Sequence, residues 1–400
     1  NYEKTYAYDA ATAAAYGEMA ILNTYKPPLV NGDGKVTGDV KWVGGQESDR
    51  DSVTIELKRK RPNGAVEVIG TVTLDKNAAA SHDWKNVWEN LPKTDQATGE
   101  EFKYWIDDTA PQTNFDKVKN ETTPTIIAEN DTLTLTYKYR SPKIEKFGNK
   151  VWSGGSSLTR PDVTLTLYRS IPSGTAEKVP AAELFTDAAH PASDYAAANG
   201  VTIHDGDALI VKWYTNEKNP DGIAYIFTID EDEDLTPLYE KTIDNGMLTV
   251  TNQYVSPKAE IHAKKVWSGG AGLTRPAVTL TLYRKVAAGT AEKVPVSELF
   301  TKAGETYATE NGVRIEDGTN PGNTEDAVVW YTNVNNPEGV PYEFSVDEEL
   351  DTTNPDSLKY KKTIDATTRT ITNTYLSGLI GTKQWIGGEA LPRPAVTLTL

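Results

Sequence analysis

The sequence has no cysteine among its 400 residues and only four histidines. The absence of cysteine excludes disulfides, thiolate zinc sites, iron–sulfur clusters and a cysteine nucleophile. His82, His190, His204 and His262 lie far apart in the sequence, which argues against a histidine metal site or a Ser-His-Asp triad. The sequence therefore predicts neither a metal site nor a cofactor.

Positive charge and long apolar runs are also scarce. Lys and Arg number 41 against 57 Asp and Glu, so the net charge of −16 disfavours binding to nucleic acid or to an anionic membrane surface. No run approaches the roughly 18 apolar residues that cross a membrane. A content of 38% hydrophobic and 24% charged residues is typical of ordered protein, and the length suggests two to four domains.

One sequence landmark occurs four times along the chain. It reads VKWVGGQESDRDSVTIELKR at 40–59, KVWSGGSSLTRPDVTLTLYR at 150–169, KVWSGGAGLTRPAVTLTLYR at 265–284 and KQWIGGEALPRPAVTLTL at 383–400. Its tryptophans, Trp42, Trp152, Trp267 and Trp385, are separated by 110, 115 and 118 residues. Solenoid repeats span about 20–50 residues, so these units are whole domains in tandem.

A second landmark closes each unit, as TLTYKYRSP at 134–142, TVTNQYVSP at 249–257 and TITNTYLSG at 370–378. The tail landmark has a relative in AILNTY at 20–25, and YEKT at 2–5 matches YEKT at 239–242. These matches predict three complete repeats between two partial ones. Their bounds are 1–28 (end of a preceding repeat), 29–142 (first repeat), 143–257 (second repeat), 258–378 (third repeat) and 379–400 (start of a following repeat).

Within a repeat, segments such as VTLTLYR and LTVTNQY alternate apolar and polar residues with a period of two. This alternation, bounded by Gly, Pro, Asn and Asp, is typical of half-buried strands. The helix candidates are short, around PAAELF at 180–185 and PVSELF at 295–300. About seven short strands in each repeat predict an all-β fold of tandem immunoglobulin-like antiparallel sandwiches.

Three kinds of polar residue fall on predicted apolar faces. Residues i and i+2 of a strand share a face, so Lys150 lies beside Trp152, and Asn252 lies between Val250 and Tyr254. Glu231 follows Phe227 and Ile229 in the same way. The third repeat offers the equivalent Lys265, Asn373 and Glu348. A buried polar group without a partner costs about 1–3 kcal/mol, so each repeat is expected to bring its three residues together.

The head motif KVW with RPxVTLTLY, the tail motif TNTY and the segment DWKNVWENLPKTDQATGEEFKYWIDD at 83–108 resemble the B-type repeat domains of Gram-positive collagen adhesins (Cna B-type), which pilin subunits share. The resemblance extends over essentially the whole chain. It implies an immunoglobulin-like stalk domain that is closed by a spontaneous Lys–Asn isopeptide bond and assisted by a buried carboxylic acid.

The chemistry of the residues agrees with this implication. Burial lowers the pKa of a lysine and makes it nucleophilic, whereas a carboxylic acid in the same core stays protonated and can shuttle protons. The expected roles in the second repeat are Lys150 as nucleophile, Asn252 as electrophile and Glu231 as acid. The third repeat would use Lys265, Asn373 and Glu348. The alternative is a solvated lysine at a strand edge and an asparagine in a turn.

The first repeat departs from this pattern. Val40 stands at the lysine position, Tyr137 at the asparagine position and Asp108 at the glutamate position, while Lys41 falls on the opposite face. This repeat is therefore expected to lack a cross-link. In the partial repeats, Asn23 and Lys383 are expected to pair with residues outside the sequence rather than with each other, because neither fragment supplies the strand that carries the acid.

Two further motifs favour structural interpretations. LPKT at 91–94 is similar to a sortase sorting signal, but Asp95 replaces the required glycine, and a hairpin turn is the favoured interpretation. NGDGKVTGD at 31–39 is similar to part of a calcium loop, but Leu29 and Val40 occupy its first and twelfth positions, where carboxylates are needed. Both motifs are therefore assigned to local structure.

These observations favour a structural stalk or shaft of a cell-wall-anchored adhesin or pilus-like protein on the surface of a Gram-positive bacterium, and not an enzyme. Its partners would be host extracellular matrix or neighbouring surface proteins. The alternative is a module that binds host matrix or glycan directly through segments of about 15 residues inserted in the second and third repeats, both of which contain GTAEKVP (174–180 and 289–295). An accessory region of a secreted enzyme is a third interpretation.

Overall fold

The computed structural model describes residues 2–8, 19–25, 34–76, 83–96, 98–120, 125–126, 130–270, 272–316, 327–351, 353–376, 383–387 and 392–397. The first two strands, β1 (Tyr2–Tyr8) and β2 (Met19–Tyr25), form an antiparallel two-stranded sheet. Every longer described stretch is built from strands, with four short 3₁₀ turns and no α-helix in those stretches.

The first repeat contains two four-stranded sheets, in the orders β6-β3-β10-β8 and β5-β4-β7-β9. Its strands are β3 (Gly34–Val43), β4 (Val53–Lys60), β5 (Val66–Leu74), β6 (Lys85–Leu91), β7 (Lys103–Asp108), β8 (Phe115–Asn120), β9 (Thr125–Ile126) and β10 (Asp131–Tyr139). A 3₁₀ turn at Glu47–Asp49 follows β3. The LPKT motif lies in the connection from β6 to β7, where Thr94 bridges Glu101, so the hairpin interpretation is confirmed.

The second repeat has the same two-sheet plan. One sheet has the order β15-β11-β18-β17, and the other has the order β13-β12-β14 with β16 also paired to β12. The strands are β11 (Lys143–Ser153), β12 (Val163–Ser170), β13 (Glu177–Lys178), β14 (Val201–Ile203), β15 (Ile210–Asn216), β16 (Ile226–Glu231), β17 (Tyr239–Asp244) and β18 (Thr249–Tyr254). The predicted helix candidate in PAAELF is a single 3₁₀ turn at Ala181–Glu183.

The third repeat also has two sheets. One has five strands in the order β22-β24-β19-β27-β26, and the other has the order β21-β20-β23 with β25 also paired to β20. The strands are β19 (Lys258–Ser268), β20 (Val278–Val286), β21 (Glu292–Lys293), β22 (Leu299–Phe300), β23 (Val313–Ile315), β24 (Val328–Asn333), β25 (Tyr342–Leu350), β26 (Tyr360–Asp365) and β27 (Thr370–Tyr375). The 3₁₀ turns are Val296–Glu298 and Pro355–Lys359.

The apolar residues of the alternating sequence pattern form the inner face of each sandwich. In β12, Val163, Leu165 and Leu167 are completely buried, and the residues between them are more polar. Trp213 on the facing sheet is also completely buried. Alternate residues of both sheets therefore fill one core in each repeat, as expected for immunoglobulin-like sandwiches.

Among the described strands, pairing within a repeat is antiparallel except at one place. The first strand of each repeat runs parallel to its last, as β3 does to β10, β11 to β18 and β19 to β27. A parallel neighbour needs a long crossover, and the whole remainder of the repeat supplies it. The two sequence landmarks of a repeat are consequently adjacent in space.

Across the described stretches, no helix is long and apolar enough to cross a membrane.

Candidate cross-linking sites

The parallel pair places the predicted lysine and asparagine of the second repeat on one face. Lys150 in β11 lies opposite Val250, and Trp152 lies opposite Asn252 in β18, so Lys150 and Asn252 are diagonal neighbours across the pair. Glu231 comes from the other sheet, at the end of β16, where it is paired with Leu165. The sandwich therefore brings two residues from one sheet to a third from the sheet above it.

Glu231 bridges the other two residues. Its Oε2 lies 3.0 Å from Lys150 Nζ, and its Oε1 accepts a 2.7 Å hydrogen bond from Asn252 Nδ2. The side chains of Lys150 and Glu231 are completely buried, and Asn252 is 1% exposed. The alternative of a solvated lysine at a strand edge is therefore wrong for this repeat.

The third repeat reproduces this geometry. Lys265 Nζ lies 2.9 Å from Glu348 Oε2, and Asn373 Nδ2 donates a 2.6 Å hydrogen bond to Glu348 Oε1. Both side chains of the ion pair are completely buried, as is Asn373. The same residue pattern therefore has the same arrangement in both repeats.

An indole ring covers each buried lysine. Lys150 Nζ lies 4.3 Å from the centre of the Trp152 ring, and Lys265 Nζ lies 4.4 Å from that of Trp267. Tyr239 packs edge-on against Trp152 at 5.0 Å. The ring face is attractive to an ammonium group but keeps water away from it, so the site stays dry.

Burial lowers the pKa of both lysines, because the charged form loses its hydration. For Lys265 the lowering reaches about 8, although Glu348 opposes it. The pKa of Lys150 is lowered for the same reason against the opposing effect of Glu231. A lowered pKa favours the neutral amine, which is the nucleophilic form of lysine.

The amide oxygen of each asparagine is an unsatisfied group of the cluster, and the Oε2 atom of each glutamate has only its contact with the lysine. Asn252 Oδ1 and Asn373 Oδ1 are buried without a hydrogen-bond donor among the described residues. An orphaned buried acceptor requires an explanation, and one such explanation is a chemical role. An amine, an amide carbon and a carboxyl group in one dry cluster contain all the groups that a transamidation needs.

The first repeat fills the same positions with residues that cannot react in this way. Val40 is 3% exposed opposite Leu135, and Tyr137, which is 1% exposed, lies opposite Trp42 as Asn252 lies opposite Trp152. The Tyr137 hydroxyl donates a 2.5 Å hydrogen bond to Asp108 Oδ2. The Asp108 carboxylate thus contacts a phenol through Oδ2, and its Oδ1 pairs with Lys117.

The residues predicted for the partial repeats are placed only in part. In the backbone register Asn23 lies opposite Lys4, just as Asn252 lies opposite Lys241 and Asn373 opposite Lys362. The Asn23 side chain lies outside the described part of the chain. Lys383 is exposed, and its Nζ lies 4.7 Å from the centre of the Trp385 ring.

Sequence reasoning missed a second lysine beside each cluster. Lys241 donates to the Glu231 carbonyl oxygen at 2.7 Å and to Asp230 Oδ1 at 2.8 Å. Lys362 makes the equivalent bonds to the Glu348 carbonyl oxygen and to Asp347. The repeated segments YEKTID at 239–244 and YKKTID at 360–365 were the available signal. These lysines hold the strand that carries the acid and also disfavour the charged form of the buried lysine.

The fold and the clusters together define tandem immunoglobulin-like sandwiches, two of which carry a buried Lys–Glu–Asn cluster. Residues 36–131 match the sequence profile of the family described as "Cna protein B-type domain". The predicted Cna B-type resemblance is therefore confirmed for this stretch, which lies in the repeat whose motifs are the most diverged. A search of curated protein sequences finds no match.

Several solved structures are similar in chain path. Two B repeat units of the collagen binding protein of Staphylococcus aureus are 18% identical, with a TM-score of 0.35 and coverage of 88% of this chain and 77% of that one. The major pilin subunit BcpA of Bacillus cereus is 12% identical, with a TM-score of 0.23 and coverage of 85% of this chain and 98% of that one. The pilus adhesin SpaC from Lactobacillus rhamnosus GG is 14% identical, with a TM-score of 0.21 and coverage of 92% of this chain and 46% of that one.

Proposed function

We propose that these repeats form the stalk of a surface adhesin or the shaft of a pilus-like protein, and that intramolecular isopeptide bonds Lys150–Asn252 and Lys265–Asn373 stabilise them. The observation that carries the proposal is the complete burial of each Lys–Glu pair, with the asparagine amide hydrogen-bonded to the glutamate. The role is structural and non-enzymatic, because each cluster would react once, with itself.

The bond would form by transamidation within the folded repeat. Lysine Nζ, as the neutral amine, attacks asparagine Cγ, and a new C–N bond forms while the bond from Cγ to Nδ2 breaks. The glutamate passes the proton released by Nζ to Nδ2, which leaves as ammonia. Folding supplies the proximity that makes this step effectively unimolecular.

The proposal includes the division of the chain into repeats at 29–142, 143–257 and 258–378. Two sheets and one core within each of these ranges support it. Because Val40 and Tyr137 replace the reactive pair, the first repeat would depend on packing alone.

The proposed setting is the outer surface of a Gram-positive bacterium. The match of residues 36–131 to the B-type domain supports this setting, and pilus subunits and a collagen-binding surface protein occur among the similar structures. Attachment to the cell wall, and contact with host matrix or neighbouring surface proteins, are part of the same proposal.

The inserted segments support a structural role rather than a ligand site. The Arg169 guanidinium is 4% exposed and pairs with Glu177 at 3.0 Å and with Glu183 at 2.6 Å. Arg284 makes the same contacts to Glu292 and Glu298. Both GTAEKVP segments thus contact a buried arginine of their sheet through an exposed glutamate, Glu177 or Glu292.

The intact mass of the purified chain tests the proposal. We expect it to fall short of the sequence mass by two molecules of ammonia, and a digest should contain branched peptides that join Lys150 to Asn252 and Lys265 to Asn373. The matched control is the double variant Lys150→Met, Lys265→Met, which should have its full sequence mass. A parent chain at full sequence mass would overturn the proposal.

A further inference from the structure

Both contacts between successive repeats use the same two sequence motifs. The tryptophan strand of each repeat ends in a Gly-Gly turn, Gly44-Gly45 in the first repeat and Gly154-Gly155 in the second. Against each of these turns lies a turn of the next repeat with the sequence Asn-Pro-acid-Gly, at 219–222 and 336–339. We propose that these elements form an interlocking joint, in which the Gly-Gly turn is a receptor for the Asn-Pro-acid-Gly turn of the following repeat and fixes the angle between them.

The central hydrogen bond of the joint is identical in both copies. The Gly45 N–H donates to the Pro220 carbonyl oxygen at 2.9 Å, and the Gly155 N–H donates to the Pro337 carbonyl oxygen at 2.9 Å. A β-carbon on Gly44 would lie 2.2 Å from the Pro220 oxygen, and one on Gly154 would lie 2.6 Å from the Pro337 oxygen. No other residue type fits this approach, which explains the first glycine of each pair beyond its positive φ angle.

The inserted turn has the same internal structure in both joints. Asn219 Oδ1 accepts hydrogen bonds from the backbone N–H groups of Asp221 and Ile223, and Asn336 Oδ1 accepts them from Glu338 and Val340. The proline carbonyl therefore points outward before docking, so that little conformational entropy is lost on contact.

The linker between repeats is fixed to the same hairpin. Ser141 Oγ accepts from the Lys218 N–H at 2.9 Å, and Ser256 Oγ accepts from the Asn335 N–H at 3.0 Å. The carbonyl oxygen of the following proline, Pro142 or Pro257, accepts a second backbone bond at 2.8 or 2.9 Å. One hairpin of the following repeat therefore holds both the linker and the docked turn, which restricts rotation about the linker.

Each joint has its own polar contacts around this shared centre. In the first joint, Lys218 Nζ lies 2.8 Å from Asp49 Oδ1. In the second, Ser156 Oγ donates to Glu338 Oε2 at 2.5 Å, and Asn335 Nδ2 donates to the Tyr254 hydroxyl at 2.8 Å. The docked partner is thus a hydrogen-bonded, acidic Pro-Gly turn. The short linker makes docking intramolecular, which raises the effective concentration of the turn.

The third repeat provides a matched control. Gly269 has a φ of 77°, close to the 74° of Gly154, and a β-carbon on either would lie 3.3 Å from a tyrosine Cβ, that of Tyr375 or Tyr254. Only Gly154 would also meet a proline oxygen of the next repeat. Gly154→Ala and Gly269→Ala therefore share local strain and differ in the effect on a joint.

The test measures the distance distribution between two spin labels in the full chain. Because the chain has no cysteine, labels can be placed on Met247→Cys in the second repeat and Leu358→Cys in the third, which are 72% and 82% exposed. We expect the parent and the Gly269→Ala variant each to give one narrow distance distribution. The distribution for Gly154→Ala should be at least twice as wide. A broad parent distribution, or equal widths in the two alanine variants, would overturn the proposal.

A second variant decides the matter if Gly154→Ala unfolds its repeat, as judged by circular dichroism. Lys218→Met removes the ion pair of the first joint without changing any glycine. With labels at Val66→Cys and Met247→Cys it should widen the distribution, whereas Lys138→Met, at an exposed position, should not. Equal widths for these two lysine variants would contradict the joint.

Discussion

At the residue scale, the glutamate decides whether a buried lysine and asparagine react or only coexist. Glu231 and Glu348 contact both partners through different oxygens, which is the geometry of a proton shuttle. A glutamine in the same place keeps the size of the side chain and its hydrogen-bonding capacity but cannot exchange a proton with the amine.

We therefore expect Glu231→Gln and Glu348→Gln each to retain one molecule of ammonia in the intact mass, after allowance for the substitution itself. The matched controls are Asp230→Asn and Asp347→Asn, which change the adjacent, partly exposed acids that contact Lys241 and Lys362. These controls should still lose both ammonia molecules. A full mass deficit in the glutamine variants would remove the glutamate from the mechanism.

Lys265 should make stability depend on pH when its bond cannot form. In Asn373→Ala it remains an amine, whose pKa burial lowers from 10.5 to about 8 in the folded state. Between these pH values the unfolded chain binds more protons than the folded chain does. The free energy of unfolding of the third repeat therefore rises with pH from about 8 to about 10.5 and is lowest below pH 8. The full rise is about 3 kcal/mol.

Urea unfolding at several pH values measures this rise. Other groups also titrate in alkaline solution, so the reference is Asn373→Ala combined with Lys265→Met, and the difference between the two curves isolates the lysine. A difference that does not change with pH would show that Lys265 has an ordinary pKa in the folded repeat.

Much of the cluster is predictable from the sequence because alternation in a strand is a strong constraint. The period of two placed Lys150 beside Trp152 and placed Glu231 and Asn252 on inner faces. It could not give the contacts made by Glu231, because these depend on how two sheets with no shared hydrogen bonds are stacked. The role of Lys241 could not be predicted from the sequence either, because it donates to a backbone carbonyl oxygen, which any residue type supplies.

At the element scale, the parallel pairing of first and last strands is the feature that the sequence did not reveal. Alternation gives the faces of β11 and β18 but not their partners, which are separated by about 100 residues. The sequence also left open whether the inserted segments bind a ligand or only support the fold, because loops of this length do both. The buried Arg169 network shows what holds the segment of the second repeat in place.

Arg169→Lys should consequently destabilise the second repeat by about 2 kcal/mol, because an ammonium cannot make the bidentate contact to Glu183 together with the contact to Glu177. The matched control is Arg314→Lys at a half-exposed ion pair with Glu316, where the change should be within about 0.5 kcal/mol. Urea unfolding of the two variants gives the comparison. Equal small effects would show that the segment is held by apolar packing.

At the scale of the whole molecule, the repeats should differ in stability although they share a fold. A cross-link that closes about 100 residues contributes roughly 4–5 kcal/mol by restricting the unfolded chain. The second and third repeats would receive this contribution, whereas the first has non-covalent contacts of Asp108 with Tyr137 and Lys117 at the equivalent place.

We therefore expect the first repeat to unfold at a lower temperature than the others and to be the first region cleaved by trypsin. Differential scanning calorimetry should resolve at least two transitions, and peptide mapping should place the earliest cuts within 29–142. The same experiment on Lys150→Met, Lys265→Met should bring the transitions together. Equal resistance of 29–142 and 143–378 in the parent would contradict this account of Val40 and Tyr137.

The joints between repeats show the limit of sequence reasoning at this scale. The repetition of Gly-Gly and of Asn-Pro-acid-Gly was visible, but each motif is also a common turn signal. Their contact joins residues such as Gly45 and Pro220, which are far apart in the chain and belong to different cores. Nothing within one repeat demands that contact, so only the assembled chain reveals it.

The parallel pair has a mechanical consequence. A chain pulled from both ends transmits tension into the second repeat at the start of β11 and out of it at the end of β18, and these points lie at opposite ends of two adjacent parallel strands. The ladder is then loaded in shear, so its hydrogen bonds must yield together rather than one after another. A covalent link between Lys150 and Asn252 would lie across this same pair, and the roughly 100 residues between them would bear none of the tension and add no length to the extended chain.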